Sequence, residues 1–319
     1  MKSAAICCYY GKLPSYFECW LTSASQNTEI DFFIVTDLKT INKYRELIDE
    51  TDNVKLVFIT FDELRDKIQS LFDFKISLGR PYKLCDYRLT FGLVFEDILV
   101  DYDYFGWFDL DVILGDLGLI FEKQIEQYDV IGTNGHLTLL RNTQKFKFLF
   151  YESINPQNLA TPYTIVFRCK RSCFFDENNG LRQLLKDCKV KDIRSMIFDV
   201  YPFKHDFFEW NNHSNHYIVY RDNTSGKLYR ISENCKDEIA YVHLQKRNIN
   251  IEKDVSNLKS FYIKPNTISW SAEYVVNENS SYYKAIYKKF KYERTISQII
   301  NYLSNYRAFP KRIFKMLFR

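Results

Sequence analysis

Three short apolar runs near the start of the chain, at residues 3–10, 31–36 and 54–60, are each followed by a stretch of helical periodicity, at about 13–25, 41–50 and 61–72. The runs are apolar at nearly every position rather than at every second one, so each strand needs cover on both faces. Alternating strands and helices of this kind predict an α/β fold, with a mixed, mainly parallel sheet flanked by helices. A further helix is expected at 82–96 and strands at 128–133 and 136–140, followed by a helix near Asn142 and a less regular stretch to about Asn212. Runs at 217–221, 228–231 and 239–244 read as later, antiparallel strands.

Size and charge narrow the functional classes. With 319 residues, 46% of them hydrophobic, and only 10 Gly and 7 Pro, the chain can bury a large core and has no disordered or repetitive character. The opening MKSAAICCYYGKLP is read as a first strand rather than a leader, and no apolar segment approaches the roughly eighteen residues of a membrane span. The eight cysteines show no C-x-x-C pair, which suits reduced thiols in a cytoplasmic protein.

The net charge of +4 conceals an asymmetry. Residues 282–319 hold ten basic side chains against Glu293 alone, so the rest of the chain is mildly acidic. We therefore expect two regions, a domain over 1–276 and a basic helical C-terminal region over 277–319. In the latter, Ile313, Phe314, Leu317 and Phe318 share one helical face, and Lys311, Arg312, Lys315 and Arg319 lie largely on the other. Such a segment suits peripheral contact with an anionic membrane surface. Nucleic acid is not expected as a partner, because the basic excess is confined to the tail.

The segment YFGWFDLDVILGDL, residues 104–117, sets Asp109 and Asp111 inside an aromatic and aliphatic run. Asp-x-Asp often marks no more than a solvated turn. Here the surrounding residues make unpaired charge costly, and a hard divalent cation is the simplest compensation. Such a cation also bridges carboxylates to a diphosphate.

Several segments together resemble a bacterial family of polysaccharide-biosynthesis glycosyltransferases encoded with capsule and cell-surface glycan genes. They are YYGKLPSYFECWLTSASQN, DFFIVTD, RPYKLCDYRLTFGLVFEDIL, YDYFGWFDLDVILGDL, YDVIGTNGHLTLLRNT, FFDENNG and YVHLQKR, in that order, and they cover roughly residues 5–247. The resemblance implies a GT-A-like, Rossmann-like nucleotide-sugar transferase. More distantly, the chain is similar to retaining lipopolysaccharide galactosyl- and glucosyltransferases. By that likeness Asp109, Asp111 and His243 bind Mn²⁺ or Mg²⁺, with imidazole favouring Mn²⁺. Arg88 and Lys83 contact the diphosphate or donor sugar, and Lys246 is placed at the donor although its spacing after His243 departs from the relatives. Asp37 assists with base or ribose, and Tyr9 and Tyr10 stack on the base. His136, with Arg141 framing the same segment, lies beside the donor sugar. Asp176 and Glu177 lie over the acceptor, where a carboxylate can orient the attacking hydroxyl.

Each of these residues also has an ordinary structural alternative. His243 can be a satisfied strand histidine. Arg88 and Lys83 can pair on the helix surface with Asp86 and Glu96, Asp37 can cap the helix before Leu38, and Asp176 and Glu177 can cap one before Leu181.

The function expected from the sequence is a metal-dependent hexosyl-type glycosyltransferase. Its partners would be a nucleotide-diphosphate sugar, a UDP-sugar in the first instance, and a lipid-linked glycan acceptor at the cytoplasmic face of the membrane, with retention favoured. The alternatives are a metal-dependent phosphotransferase or nucleotide-sugar hydrolase, and a non-catalytic glycan-binding assembly protein. The absence of any Gly-rich phosphate loop weighs against the commonest phosphotransferases.

Overall fold

The computed structural model describes residues 1–121, 125–202, 206–210, 212–252 and 255–273, together with 292, 295, 296 and 299. The basic region expected at 277–319 lies outside the described residues apart from those four positions.

Strands β1 (Ser3–Cys8), β2 (Ile30–Thr36), β3 (Val54–Phe58) and β4 (Tyr104–Phe108) pair in parallel in the order β3-β2-β1-β4. The chain then forms β5 (Val112–Leu114), which leaves this sheet. Next come β6 (Val130–Ile131), β7 (Leu137–Arg141) and β8 (Val190–Lys191), which extend the sheet as β4-β7-β6-β8. Strand β7 is antiparallel to β4 and β6, while β8 is parallel to β6. The result is the mixed, mainly parallel seven-stranded sheet that the alternation predicts.

Four helices fill the first crossovers: α1 (Phe17–Ser25), α2 (Leu38–Ile41), α3 (Arg45–Asp49) and α4 (Phe61–Gln69). Successive strand residues point to opposite faces. Ala5, Cys7, Phe32, Ile34 and Phe108 therefore join one core with Phe17 and Trp20 of α1, whereas Ala4, Ile6, Phe33, Val35 and Trp107 join another with Leu64 and Ile68 of α4. Trp20 stacks on Phe108 with ring centroids 5.4 Å apart. Each large side chain buried this way contributes roughly 1.5–3 kcal/mol. Helix α4 begins with a capping box, in which Thr60 accepts from Glu63 N while the Glu63 carboxylate accepts from Thr60 N.

A second, largely antiparallel sheet is built from the later part of the chain. After β9 (Ile197–Asp199) come β10 (Phe207–Glu209), β11 (Asn212–Asp222), β12 (Leu228–Ser232), β13 (Cys235–Ile239), β14 (Tyr241–His243), β15 (Asn250–Ile251), β16 (Ser260–Ile263) and β17 (Thr267–Ser269). The order is β13-β12-β11-β16-β17-β15, with β10 also on β11. Strands β5, β14 and β9 make a third, three-stranded sheet. The run at 239–244, expected as one strand, is thus two. It breaks at Ala240, whose N–H donates to Met196 O at 2.6 Å and whose carbonyl accepts from Gly115 N at 2.7 Å.

The expected helix at 82–96 is a 3₁₀-helix over Pro81–Thr90, continued by α5 (Phe91–Val94). A three-residue period aligns i with i+3. Lys83 and Asp86 consequently share one side, while Cys85 and Arg88 share another that lines a cleft. This corrects the expectation for Lys83. Its side chain and that of Asp86 are both fully buried, with Nζ 2.5 Å from Asp86 Oδ2. The same ammonium donates to Val166 O at 3.0 Å and Arg171 O at 2.6 Å, so all three of its protons are used inside the protein.

Removing one member of a buried pair strands the other charge, which costs about 3–5 kcal/mol. Lys83→Met should lower the stability by that order in urea unfolding. A loss below about 0.5 kcal/mol, the range of ordinary surface substitutions, would show that the pair does not anchor this region.

Candidate metal and donor site

The first and third sheets are joined at the end of β4. There the chain turns through Asp109, Leu110 and Asp111 before entering β5, and Asp109 N donates to His136 O at 3.1 Å. Strand β14 pairs antiparallel with β5, setting His243 opposite Val112, and Leu244 N donates to Asp111 O at 2.7 Å. Backbone ladders, rather than side chains, thus bring His243 to the two acids. One ligand atom from each of Asp109, Asp111 and His243 lies within 4.8 Å of the others. Two carboxylates and an imidazole are a donor set suited to a divalent cation, so these residues fit a metal of that charge.

The electrostatics of this group are strongly coupled. His243 Nε2 is 3.5 Å from Asp111 Oδ2, and its Nδ1 is 2.9 Å from Asp199 Oδ1. Burial pushes the Asp111 carboxyl up, but His243 and Lys246 outweigh it and hold the group well below the usual carboxylate range. Burial likewise pulls His243 down, and the flanking Asp111 and Asp199 more than reverse it, keeping the ring cationic well above an ordinary histidine. His136, buried and facing that imidazolium, is lowered to about 4. Gln245 and Lys246 both adopt left-handed backbone, with φ of 55° and 56°. That turn, unfavourable for non-glycine residues, delivers Lys246 N to Asp111 Oδ2 at 2.7 Å.

A cleft of about 1060 Å³ opens over the acids. Tyr9, Tyr10, Arg88, His136, Asp176, Glu177 and Lys246 all line it, and Asp37 and Lys83 do not. Asp37 caps α2, its Oδ1 accepting from Thr40 N at 2.8 Å, which is the ordinary alternative foreseen for it. The hydroxyls of Tyr9 and Tyr10 donate to Lys12 O at 3.1 Å and Ile59 O at 3.0 Å. The Lys246 ammonium sits 4.1 Å over the Tyr82 ring. Arg141 is outside the cleft lining and donates to Tyr128 O at 2.8 Å.

Arg88 pairs neither with Asp86, which belongs to Lys83, nor with Glu96, which is 2.7 Å from Lys147 Nζ. It spans the cleft floor instead, donating to Asp109, to Asp176 Oδ2 at 2.9 Å and to Gly135 O at 2.7 Å. Helix 181–184 carries no side-chain cap from Asp176 or Glu177. The Glu177 carboxylate packs against Gly135 so closely that a Cβ there would lie 2.3 Å from Oε1, and Gly135 also has a φ of +81°. Burial drives the Glu177 carboxyl up to about 7, against the opposing pull of Arg182.

Asp199, Tyr241 and Gln245 belong to this network and were not singled out from the sequence. The signal for Asp199 was present: the apolar run Met196–Phe198 ends in an acid, as the runs before Asp37 and Asp109 do.

No curated protein matches the chain. Among solved structures, it is similar to mouse xyloside xylosyltransferase 1 in its apo form, at 12% identity and a TM-score of 0.43, covering 76% of this chain and 97% of that one. A family model described as a family of unknown function, DUF6625, matches residues 5–271, and the protein belongs to that family.

Proposed function

We propose that this protein is a metal-dependent glycosyltransferase of GT-A-like architecture that uses a nucleotide-diphosphate sugar, a UDP-sugar in the first instance. The observation that carries the proposal is the convergence of Asp109, Asp111 and His243 at the floor of a cleft large enough for such a donor. Pockets for ligands of this kind span roughly 300–1,000 Å³. Mn²⁺, or Mg²⁺ in its place, would be held by these three side chains and would supply charge neutralisation for the departing diphosphate.

The protein's own residues divide the remaining work. Tyr9 and Tyr10 offer aromatic surface for the base. Lys246 offers a cation to the phosphates, and its backbone N–H fixes the Asp111 carboxylate. Arg88 is engaged with both Asp109 and Asp176, which leaves Glu177 as the carboxylate to orient an acceptor hydroxyl. Retention at the anomeric carbon, a capsular or other cell-surface glycan as acceptor, and a lipid carrier for that glycan are proposed from the family resemblance.

Asp111→Asn keeps the shape of the side chain and removes the charge a cation requires. It should abolish Mn²⁺-dependent binding of a nucleotide sugar while the chain stays folded, and Asp109→Asn should do much the same. Calorimetry with a donor panel, with and without EDTA, reads this directly. Unchanged donor affinity in both variants would remove the metal assignment.

A carboxyl raised in the folded state contributes stability that is fully present below its ordinary value near 4.5 and is lost as pH rises through about 7. Wild type should therefore lose on the order of 3 kcal/mol relative to Glu177→Gln across that window, with no further divergence above it. Parallel stability curves from pH 4 to 8 would mean that Glu177 is an ordinary solvated acid.

We further propose that the basic region at 277–319 holds the protein on the inner face of the cell membrane. Each basic residue near an anionic leaflet contributes about 1 kcal/mol, so binding should be reversible and salt-sensitive. In liposome sedimentation the full chain should outbind a chain ending at Tyr306 at low salt and lose the advantage at high salt. Equal weak binding by both would end the membrane role.

A further inference from the structure

Asp199 is an acid in the cleft that no motif marks. It ends β9, which runs parallel to β14, and the register sets it directly beside His243. Its Oδ1 lies 2.9 Å from His243 Nδ1 and accepts from Gln245 Nε2 at 2.7 Å. Its Oδ2 lies 3.9 Å from His136 Nε2, and the other nitrogen of that ring, Nδ1, is 2.9 Å from the Tyr241 hydroxyl. The two imidazole rings are 4.2 Å apart between centroids. Asp199 thus sits at the centre of a network whose outer members, Tyr241 and His136, are buried.

An ionised carboxylate only accepts hydrogen bonds. The proton in the contact between Asp199 and His243 therefore belongs to Nδ1, and the nitrogen turned toward Asp111 is Nε2. Gln245 alone would not fix this arrangement. Its amide nitrogen lies 3.1 Å from the same Nδ1 and, as a donor, would favour an unprotonated Nδ1 and hence the opposite tautomer. With Asp199 present, that amide is directed onto the carboxylate at the shorter distance of 2.7 Å.

We propose that Asp199 is a positioning residue that holds one proton of the His243 imidazolium on Nδ1, so that Nε2 is the nitrogen that gives up its proton and becomes the ligand to a divalent cation shared with Asp109 and Asp111, an assignment that rests on the metal site proposed above. Partners that orient a ligating histidine in this way typically account for about 10- to 100-fold in metal affinity. Asparagine at this position can donate to Nδ1, which moves the proton to Nε2 and blocks the ligand atom.

The test is titration of the full chain with MnCl₂ by calorimetry, comparing wild type with Asp199→Asn, His243→Ala and the double variant, each checked for native circular dichroism. Asp199→Asn should bind Mn²⁺ about 10- to 100-fold more weakly than wild type. In the His243→Ala background the same substitution should cause no further loss, because its effect passes through the imidazole. Wild-type affinity in Asp199→Asn, or an equal loss in both backgrounds, overturns the positioning role and leaves the metal site standing. No Mn²⁺ binding by wild type overturns both. A second measurement needs no variant at Asp199: in ¹⁵N-histidine-labelled wild type loaded with ¹¹³Cd²⁺, the cadmium coupling should fall on Nε2 of His243 with Nδ1 protonated. Coupling on Nδ1 overturns the proposal.

Discussion

The buried pair Lys83–Asp86 governs how the rest of the cleft is held. Asp86 accepts from the backbone N–H groups of Cys173 and Phe175, and Lys83 donates to the carbonyls of Val166 and Arg171. Two adjacent, fully buried charges thereby clamp the segment 166–175 against the 3₁₀-helix. Desolvation of both ions has to be offset by hydrogen bonds of this quality, or the pair would not persist. One consequence is geometric. Arg88 lies five residues after Lys83 on one side of the clamp, and Asp176 lies one residue after Phe175 on the other, so their 2.9 Å contact is fixed from both directions.

From that clamp the charges of the cleft follow in alternation. Arg88 faces Asp176 and Asp109, and His243 faces Asp111 and Asp199. Each of these four acids has a cationic neighbour, which is why they coexist in a partly desolvated floor. A cation that takes Asp109 and Asp111 does so in competition with a guanidinium and an imidazolium. Asp176 and Glu177 differ from the rest, since burial dominates their environment and raises both carboxyls, Asp176 well above the usual range even beside Arg88.

Much of the fold was legible because parallel strands covered on both faces write themselves as solid apolar runs. Strands β1, β2, β3 and β4 sit where those runs fall, as do α1 and α4. Legibility failed where tertiary hydrogen bonding overrides local pattern. Nothing in the run 239–244 announces that Ala240 is shared between Met196 and Gly115 and divides two sheets. Nor does the apolar character of 82–96 distinguish an α-helix from a 3₁₀-helix whose alignment of Lys83 with Asp86 only the folded interior rewards. In the cleft, the residues marked by motif were Asp109, Asp111 and His243, and the structure brings these three together. Lys83 and Asp37 were misplaced because a buried clamp and a helix cap use the same residue types as a phosphate or ribose contact. Asp199 escaped notice because the apolar run that precedes it is only three residues long, and its role exists only across the β9–β14 ladder.

The division of the cleft's residues along the sequence also sets an order of assembly. Asp109 and Asp111 follow β4, the fourth strand of the first sheet, while the strand that carries His243 belongs to the last third of the chain. During synthesis the acids precede that histidine by on the order of ten seconds, at roughly 5–20 residues per second. Arg88 is already made when the aspartates emerge, and the contacts it makes to Asp109 require nothing beyond β4 and its approach. The guanidinium that pairs with Asp109 thus precedes both acids in the chain, whereas the imidazole that faces Asp111 follows them.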